Sequence, residues 1–258
     1  MLFEDRLRAE SFGNVAQLYD STRPTYPPEL VDWLLSDRPR RVLDVGCGTG
    51  IAGALFAARG CNVTGVEVDA RMAAVARTKG LDVEVASFEQ WDDRGWRFAL
   101  AISAQAWHWI EPRAGAAKAA TVLSGGGRIA CFWNLGDPPA GLRDRLDPIY
   151  DRLGPQDASL TVVLGRTGHR GEDTVAALND SGLFEPAEIR RFSWSRTYTT
   201  DEWLALIATH SDHQALGEQR LQALCDAVGA EIDAIGGSFE YPYETVVVTA
   251  QVCSASQG

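Results

Sequence analysis

The run Asp44-Val45-Gly46-Cys47-Gly48-Thr49-Gly50 sets three glycines at alternate positions behind a carboxylate. Glycine tolerates positive φ and lets a ligand touch the backbone, and the first N–H groups of a helix starting here point outward without intrahelical partners. Such a turn is expected to hold a ligand. Glu67 ends the next β-branched run, where a carboxylate can accept hydrogen bonds from both hydroxyls of a ribose. Turn and acid together imply a nucleoside far more specifically than either alone.

Two nucleoside cofactors compete for this arrangement. Gly48-Thr49-Gly50-Ile51-Ala52-Gly53 satisfies G-x-G-x-x-G, the dinucleotide fingerprint, which keeps an NAD-dependent oxidoreductase as the alternative. Asp44, however, puts a carboxylate at the strand end. It would repel a pyrophosphate and favour the sulfonium and zwitterionic methionine of S-adenosylmethionine. A cofactor-binding protein without catalysis is the third reading, because fold alone does not exclude it.

These residues need a scaffold, and the pattern supplies one. From Arg40 to Ser103 short β-branched runs alternate with helical periodicity, the mark of βαβ units in a mainly parallel sheet. Strands are expected over 41–47, 61–69, 81–87, 98–104, 125–134, 188–199 and 243–252, with helices after the first, second and fourth. Prolines bracket a helix after Asn134, and 159–170 reads as loop or cap. Some 40 residues between the last two strands read as an inserted helical pair. The fold class is therefore α/β, a Rossmann-like sheet of seven mostly parallel strands, the last antiparallel. An N-terminal lid segment over 1–39 precedes a domain over 40–258, with cap insertions around 135–170 and 200–237.

Ligands bind outside the carboxyl ends of such strands, which makes Ser103, Gln105, His108, Trp109, Trp133 and Asn134 candidates. Methyl transfer is an in-line displacement in which the protein positions the acceptor and, where necessary, removes a proton. His108 is the candidate base for a hydroxyl or amine, with a hydrogen bond to backbone behind the cofactor as the alternative. Trp107, Trp109, Trp133 and Trp194 read either as an aromatic acceptor pocket or as core. His210 and His213 lie three apart, a spacing open to metal, but the better reading is a helix start capped by Ser211 and Asp212, and no metal is expected. Arg166, His169 and Arg170 form a compact basic group that could hold an acidic acceptor or simply face solvent.

Asp-Val-Gly-Cys-Gly-Thr-Gly, the acid in Gly-Val-Glu-Val-Asp and the Ala-Gln-Ala-Trp-His-Trp segment resemble the class I methyltransferases. Within these, the resemblance is to the branch of trans-aconitate and plant embryo-abundant-like methyltransferases. Phe12 to Pro27 resembles that branch's N-terminal segment, and the stretches around His210–Leu216 and Ile232–Gly237 its inserted helices, so most of the chain is covered, from Phe12 to Val252. The resemblance implies that Asp44, Gly46, Gly48 and Gly50 line the methionine half of the cofactor, Glu67 the ribose, and Val68 and Met72 the adenine. Such families often carry an Asp at the end of the third strand; here Ser87 and Phe88 stand in its place, as a hydrogen-bonding group and a packing ring. Tyr19, Arg23 and Tyr26 fall where related enzymes close a helix over the cofactor, with Arg23 on its carboxylate.

Composition narrows the partners. Of 258 residues, 24 are Lys or Arg and 35 Asp or Glu, a formal net charge of −11 that opposes a polyanionic partner. Five scattered cysteines with no C-x-x-C pair read as reduced thiols, and no apolar stretch reaches membrane length. The expectation is a cytoplasmic monomer or homodimer acting on a small-molecule acceptor, with oxygen (carboxylate or hydroxyl) favoured and neither nucleic acid nor membrane as partner.

Overall fold

The computed structural model describes residues 16–155 and 170–253. Phe12, Arg166, His169 and the side chain of Arg170 lie outside them, as do most of the 159–170 stretch and the tail after Cys253. Seven strands form one sheet in the order β3-β2-β1-β4-β5-β7-β6: β1 (Arg41–Val45), β2 (Asn62–Glu67), β3 (Asp82–Val85), β4 (Phe98–Ala104), β5 (Leu123–Gly136), β6 (Glu188–Thr199) and β7 (Ser238–Gln251). The first five run parallel, and β7 lies antiparallel between β5 and β6. Central strands are buried on both faces, which is why β1 and β4 are apolar runs instead of alternating ones.

Helices α1 (Ala16–Thr22) and α2 (Pro28–Leu34) precede β1, α3 (Ile51–Ala57) and α4 (Ala70–Thr78) follow β1 and β2, and α5 (Pro112–Val122) joins β4 to β5. Their starts are written in the sequence. Asp69 caps α4 by accepting from Arg71 N, and Glu111 caps α5 by accepting from Arg113 and Ala114 N, with Pro112 in the first turn. After β5 come α6 (Ala140–Leu153) and α7 (Arg170–Asp180), and between β6 and β7 lie α8 (Thr200–Ile207), α9 (Ser211–Gln214) and α10 (Glu218–Ala234). The insertion thus holds three helices where periodicity suggested two, because four residues at α9 are too few to show a period.

β7 starts at Ser238, five residues before the alternation of Tyr243-Glu-Thr marks it, and pairs with β6 along its whole length up to Thr199. The β6 and β7 ends carry the cap. Tyr198, Phe239, Tyr241 and Tyr243 pack with Leu146 and Tyr150 of α6, Trp203 of α8 and Val228 of α10 in a core of their own.

A buried polar joint closes this cap. Tyr150 Oη lies 3.1 Å from His213 Nε2, and His213 Nδ1 lies 3.1 Å from Asp212 Oδ1. Burial works to raise the Asp212 pKa, but the His213 hydrogen bond and the neighbouring imidazoles outweigh it and hold the carboxyl below the usual range. His213→Ala removes both bonds and leaves the Tyr150 hydroxyl without that partner beside a cavity. The expected cost is about 2–4 kcal/mol in denaturant unfolding, with Tyr150→Phe costing about 1. A change below ~0.5 kcal/mol in the alanine variant would remove the joint from the cap's stability.

Candidate functional site

The glycine turn sits at the carboxyl end of β1, in the middle of the sheet. Gly46, Gly48 and Gly50 all have positive φ, at 65°, 54° and 78°. Their surroundings differ. A methyl at Gly46 would lie 2.6 Å from Ala106 Cβ and one at Gly50 2.6 Å from Leu81, whereas at Gly48 only Met72 comes near, at 3.6 Å. Gly46 is small so that the segment after β4 can lie against the turn. That contact brings Gln105–Trp109 beside the nucleoside site.

Gly53, the third glycine of the fingerprint, has its own local reason. A Cβ there would stand 2.8 Å from Asp44 Oδ2 and 3.0 Å from Leu81 Cδ1. The residue makes room for a carboxylate under the first turn of α3. Gly53→Ala is expected to displace Asp44, lowering stability by about 1–3 kcal/mol and weakening S-adenosylhomocysteine binding at least roughly tenfold. Unchanged affinity by calorimetry would show that Asp44 is not needed where it lies.

Asp44 is fully buried, and neither carboxylate oxygen has a hydrogen-bond partner among the described residues. Burial pushes its carboxyl up to about 7, against an opposing pull from the Gly53 amide and with a smaller further push from Glu67. Glu67 is better provided for. Its Oε2 accepts from Gly48 N at 2.8 Å and its Oε1 from Asp69 N at 2.9 Å, which ties the end of β2 to the turn while leaving each oxygen a further lone pair. Burial raises its pKa too, with the Asp69 and Gly48 amides pulling down.

Val68, just past the end of β2, is an apolar side chain left exposed among the described residues, and Met72 in the first turn of α4 is buried. The Ser87 hydroxyl is buried without a partner among the described residues, while Phe88 is packed into the core against Trp107 at 6.1 Å between ring centroids. Thr49, which sequence reasoning passed over, adds a second buried hydroxyl inside the turn itself, also without a partner among the described residues. Buried polar groups are nearly always bonded, so these orphaned oxygens beside a bare apolar patch are what a polar nucleoside ligand would complete. The residues present fit S-adenosylmethionine.

At the strand ends, several side chains have partners within the chain. Ser103 Oγ donates to Val45 O. Gln105, with φ of +57° in the left-handed region, gives its side-chain amide to Asn134 O. Asn134 accepts from Thr245 Oγ1 and donates to Thr25 O, and Trp194 donates to the same threonine hydroxyl. This ladder fastens the N-terminal segment to the sheet. Trp133 is buried, Trp109 half-buried, and His108 sits in a 3₁₀ turn (Trp107–Trp109) with Nδ1 3.2 Å from Trp133 Nε1.

The N-terminal segment crosses from sheet to cap. Arg23 stacks on Tyr19 at 4.7 Å and donates to Thr209 O, while its Nε is buried without a partner among the described residues. Arg196 of β6 donates to Thr22 O at 3.5 Å and covers Tyr198 at 4.5 Å, and Tyr198 shares a 2.7 Å hydrogen bond with Tyr243. Tyr26 is buried edge-on to Phe132. Arg196 and the phenol pair were absent from the sequence-based set; the signal available was the two-residue repeat Phe239, Tyr241, Tyr243, which aligns aromatics on one face. His210, Asp212 and His213 bring possible ligand atoms within 4.8 Å of one another, but an ion joining them would break one of His213's two bonds. A hollow of about 250 Å³ lined by Leu34, Asp37 and Ser124 lies at the amino ends of β4 and β5, the end of the sheet away from the glycine turn. No helix among the described residues is long and apolar enough to cross a membrane.

Residues 42–127 match a family described as a methyltransferase domain. Uncharacterized methyltransferase Rv3342 of Mycobacterium tuberculosis is 34% identical over 213 residues, covering 78% of this chain and 86% of that protein. The ubiquinone biosynthesis O-methyltransferase of Dechloromonas aromatica is 34% identical over 86 residues, 30% of this chain and 37% of that one. A structure described as a type II methyltransferase from Anaeromyxobacter dehalogenans has a TM-score of 0.63 at 21% identity, covering 90% of this chain and 98% of that one, and shares the fold. With 34% identity to a methyltransferase across most of both sequences, the dinucleotide reading of the glycine turn gives way, and the chain belongs to the class I S-adenosylmethionine-dependent methyltransferases.

Proposed function

We propose that the enzyme methylates an oxygen atom, carboxylate or hydroxyl, of a small organic molecule, seated between the His108 turn and the cap. The observation that carries this is the roof. Arg23 joins the N-terminal segment to Thr209 of the cap, and Asn134 joins it to the sheet, so an acceptor reaches the strand ends under a bonded cover that suits a small molecule. The charge on that cover favours oxygen. Arg196, half-buried beside Thr22 O and over the Tyr198 ring, puts a guanidinium on its polar side, which attracts an anionic acceptor and disfavours an ammonium.

S-adenosylmethionine supplies an electrophilic methyl on a cationic sulfur. Asp44, Gly48, Thr49 and Ser87 would hold its methionine half and base, Glu67 its ribose, and Arg23 with Tyr19 its carboxylate side. Gly46, Gly50, Phe88, Ser103 and Gln105 shape the walls through backbone and packing, and Val68 and Met72 give the adenine an apolar bed. His108, Trp109 and Trp133 would orient the acceptor in line with the sulfur, which is most of what this displacement demands of a protein. The resemblance to trans-aconitate and embryo-abundant-like methyltransferases, and the partial identity to an O-methyltransferase, support the same acceptor class.

A methyl-donor turnover assay over a panel of organic acids, phenols, alcohols and amines tests this. Ester or ether products are expected. N-methylated products alone would overturn the oxygen assignment.

A further inference from the structure

We infer that His108 works as a hydrogen-bond donor through Nε2, in a tautomer that Trp133 imposes, and does not serve as the base. Its role toward the acceptor rests on the oxygen-acceptor reading above; its tautomer rests on geometry alone. Trp133 Nε1 lies 3.2 Å from His108 Nδ1. An indole nitrogen donates and cannot accept, so Nδ1 has to supply the lone pair. In the neutral ring the single proton is then on Nε2.

Neither partner is placed to reverse this. Trp133 is 1% exposed on β5 and belongs to the apolar core on its face of the sheet, and turning its indole away would leave a buried N–H unbonded. The His108 turn is held from both sides. Trp109 N donates to Ala106 O and Ile110 N to Trp107 O, and Gly115 of α5 lies so close that a methyl there would meet Ile110 at 2.5 Å. With its lone pair spent on Trp133, the ring can offer only a donated hydrogen bond elsewhere.

The chemistry then needs no proton transfer at His108. The bond formed joins the acceptor oxygen to the methyl carbon, the bond broken is methyl carbon to sulfur, and its electron pair stays on sulfur. A carboxylate acceptor arrives as an anion and leaves as a neutral ester while the sulfonium becomes a neutral thioether; a hydroxyl acceptor balances in the same way only when it arrives as the oxyanion, its proton already lost to solvent. The His108 N–H steadies an oxygen that is already unprotonated, and Trp133 is its positioning residue.

The test uses the full chain labelled with ¹⁵N and saturated with S-adenosylhomocysteine. The four histidines give long-range ring correlations, and His108 is identified as the one lost in His108→Gln. An Nε2–H pattern is expected at a pH where the ring is neutral; an Nδ1–H pattern overturns the inference. Trp133→Phe is expected to mix the two tautomers, and an unchanged pattern would remove Trp133 from the role. If that variant does not fold, two others decide it on any acceptor that gives product. Glutamine can donate from the place of Nε2 and has no basic atom, so His108→Gln should stay within about tenfold of wild type while His108→Ala loses roughly 10–100-fold. Equal losses would restore the base. A negative acceptor panel leaves the spectrum readable, so failure of the functional reading and failure of this one remain distinct.

Discussion

Glu67→Ala is expected to weaken S-adenosylhomocysteine binding by on the order of 100- to 1000-fold, the product of at least two lost charge-assisted hydrogen bonds at about 1.5–3 kcal/mol each, less some compensation by water. The side chain has two jobs. Toward the protein, it holds Gly48 N and Asp69 N and so fixes the glycine turn against the end of β2. Toward the ribose, each carboxylate oxygen keeps a further lone pair in a geometry that these two amides already set. Glu67→Gln separates the two, because an amide keeps one acceptor oxygen while its NH₂ faces a backbone N–H, and it should lose roughly 10–100-fold. Calorimetry reads both variants directly. Binding within fivefold of wild type in the alanine variant would take Glu67 out of the cofactor site.

How much of this was legible beforehand depends on range along the chain. The turn from Asp44 to Gly50 and the caps at Asp69 and Glu111 are local, set by residue types within a few positions, and the sequence shows them directly. The mainly parallel character of the sheet follows from alternating strands and helices for the same reason, while the strand order does not. What the sequence could not show is which polar atoms are already spent. Asn134 reads as a pocket residue until Thr25 and Thr245 are seen on its two ends, and Ser103 until its hydroxyl is seen on Val45 O. Phe88 likewise reads as a ring for the adenine, yet it is buried in the core with Trp107. These partners lie tens of residues away, and no spacing rule connects them. The reverse failure is Thr49, whose hydroxyl has no partner among the described residues and which no motif position singles out. The start of β7 at Ser238 was missed because Pro242 and two glycines before it read as loop, although a proline on a strand needs only a position without a ladder donor.

Asp44 carries the prediction with the clearest pH dependence. Its pKa in the folded, cofactor-free protein is raised from 3.8 to about 7 by burial. For a raised acid the contribution to stability is fully present below the unfolded value near 3.8 and is lost as pH rises through about 7, so on this group alone the free enzyme is less stable at pH 8 than at pH 5. Cofactor affinity must run the opposite way. A cationic sulfur and ammonium favour the ionised carboxylate, so binding at low pH first has to expel a proton. Affinity for S-adenosylhomocysteine, which keeps the ammonium, should therefore climb by up to about tenfold per pH unit and level off near 7, giving roughly a 100-fold gain from pH 5 to pH 8. Asp44→Asn has no such proton to lose. Its affinity at pH 8 should fall to about the wild-type value at pH 5, and its dependence on pH should be the shallower one that Glu67, also raised by burial, leaves in both proteins. Calorimetry in two buffers of different ionisation enthalpy counts the protons released. The difference between wild type and variant then isolates Asp44, and parallel pH profiles would mean that its buried carboxyl stays protonated when the cofactor binds.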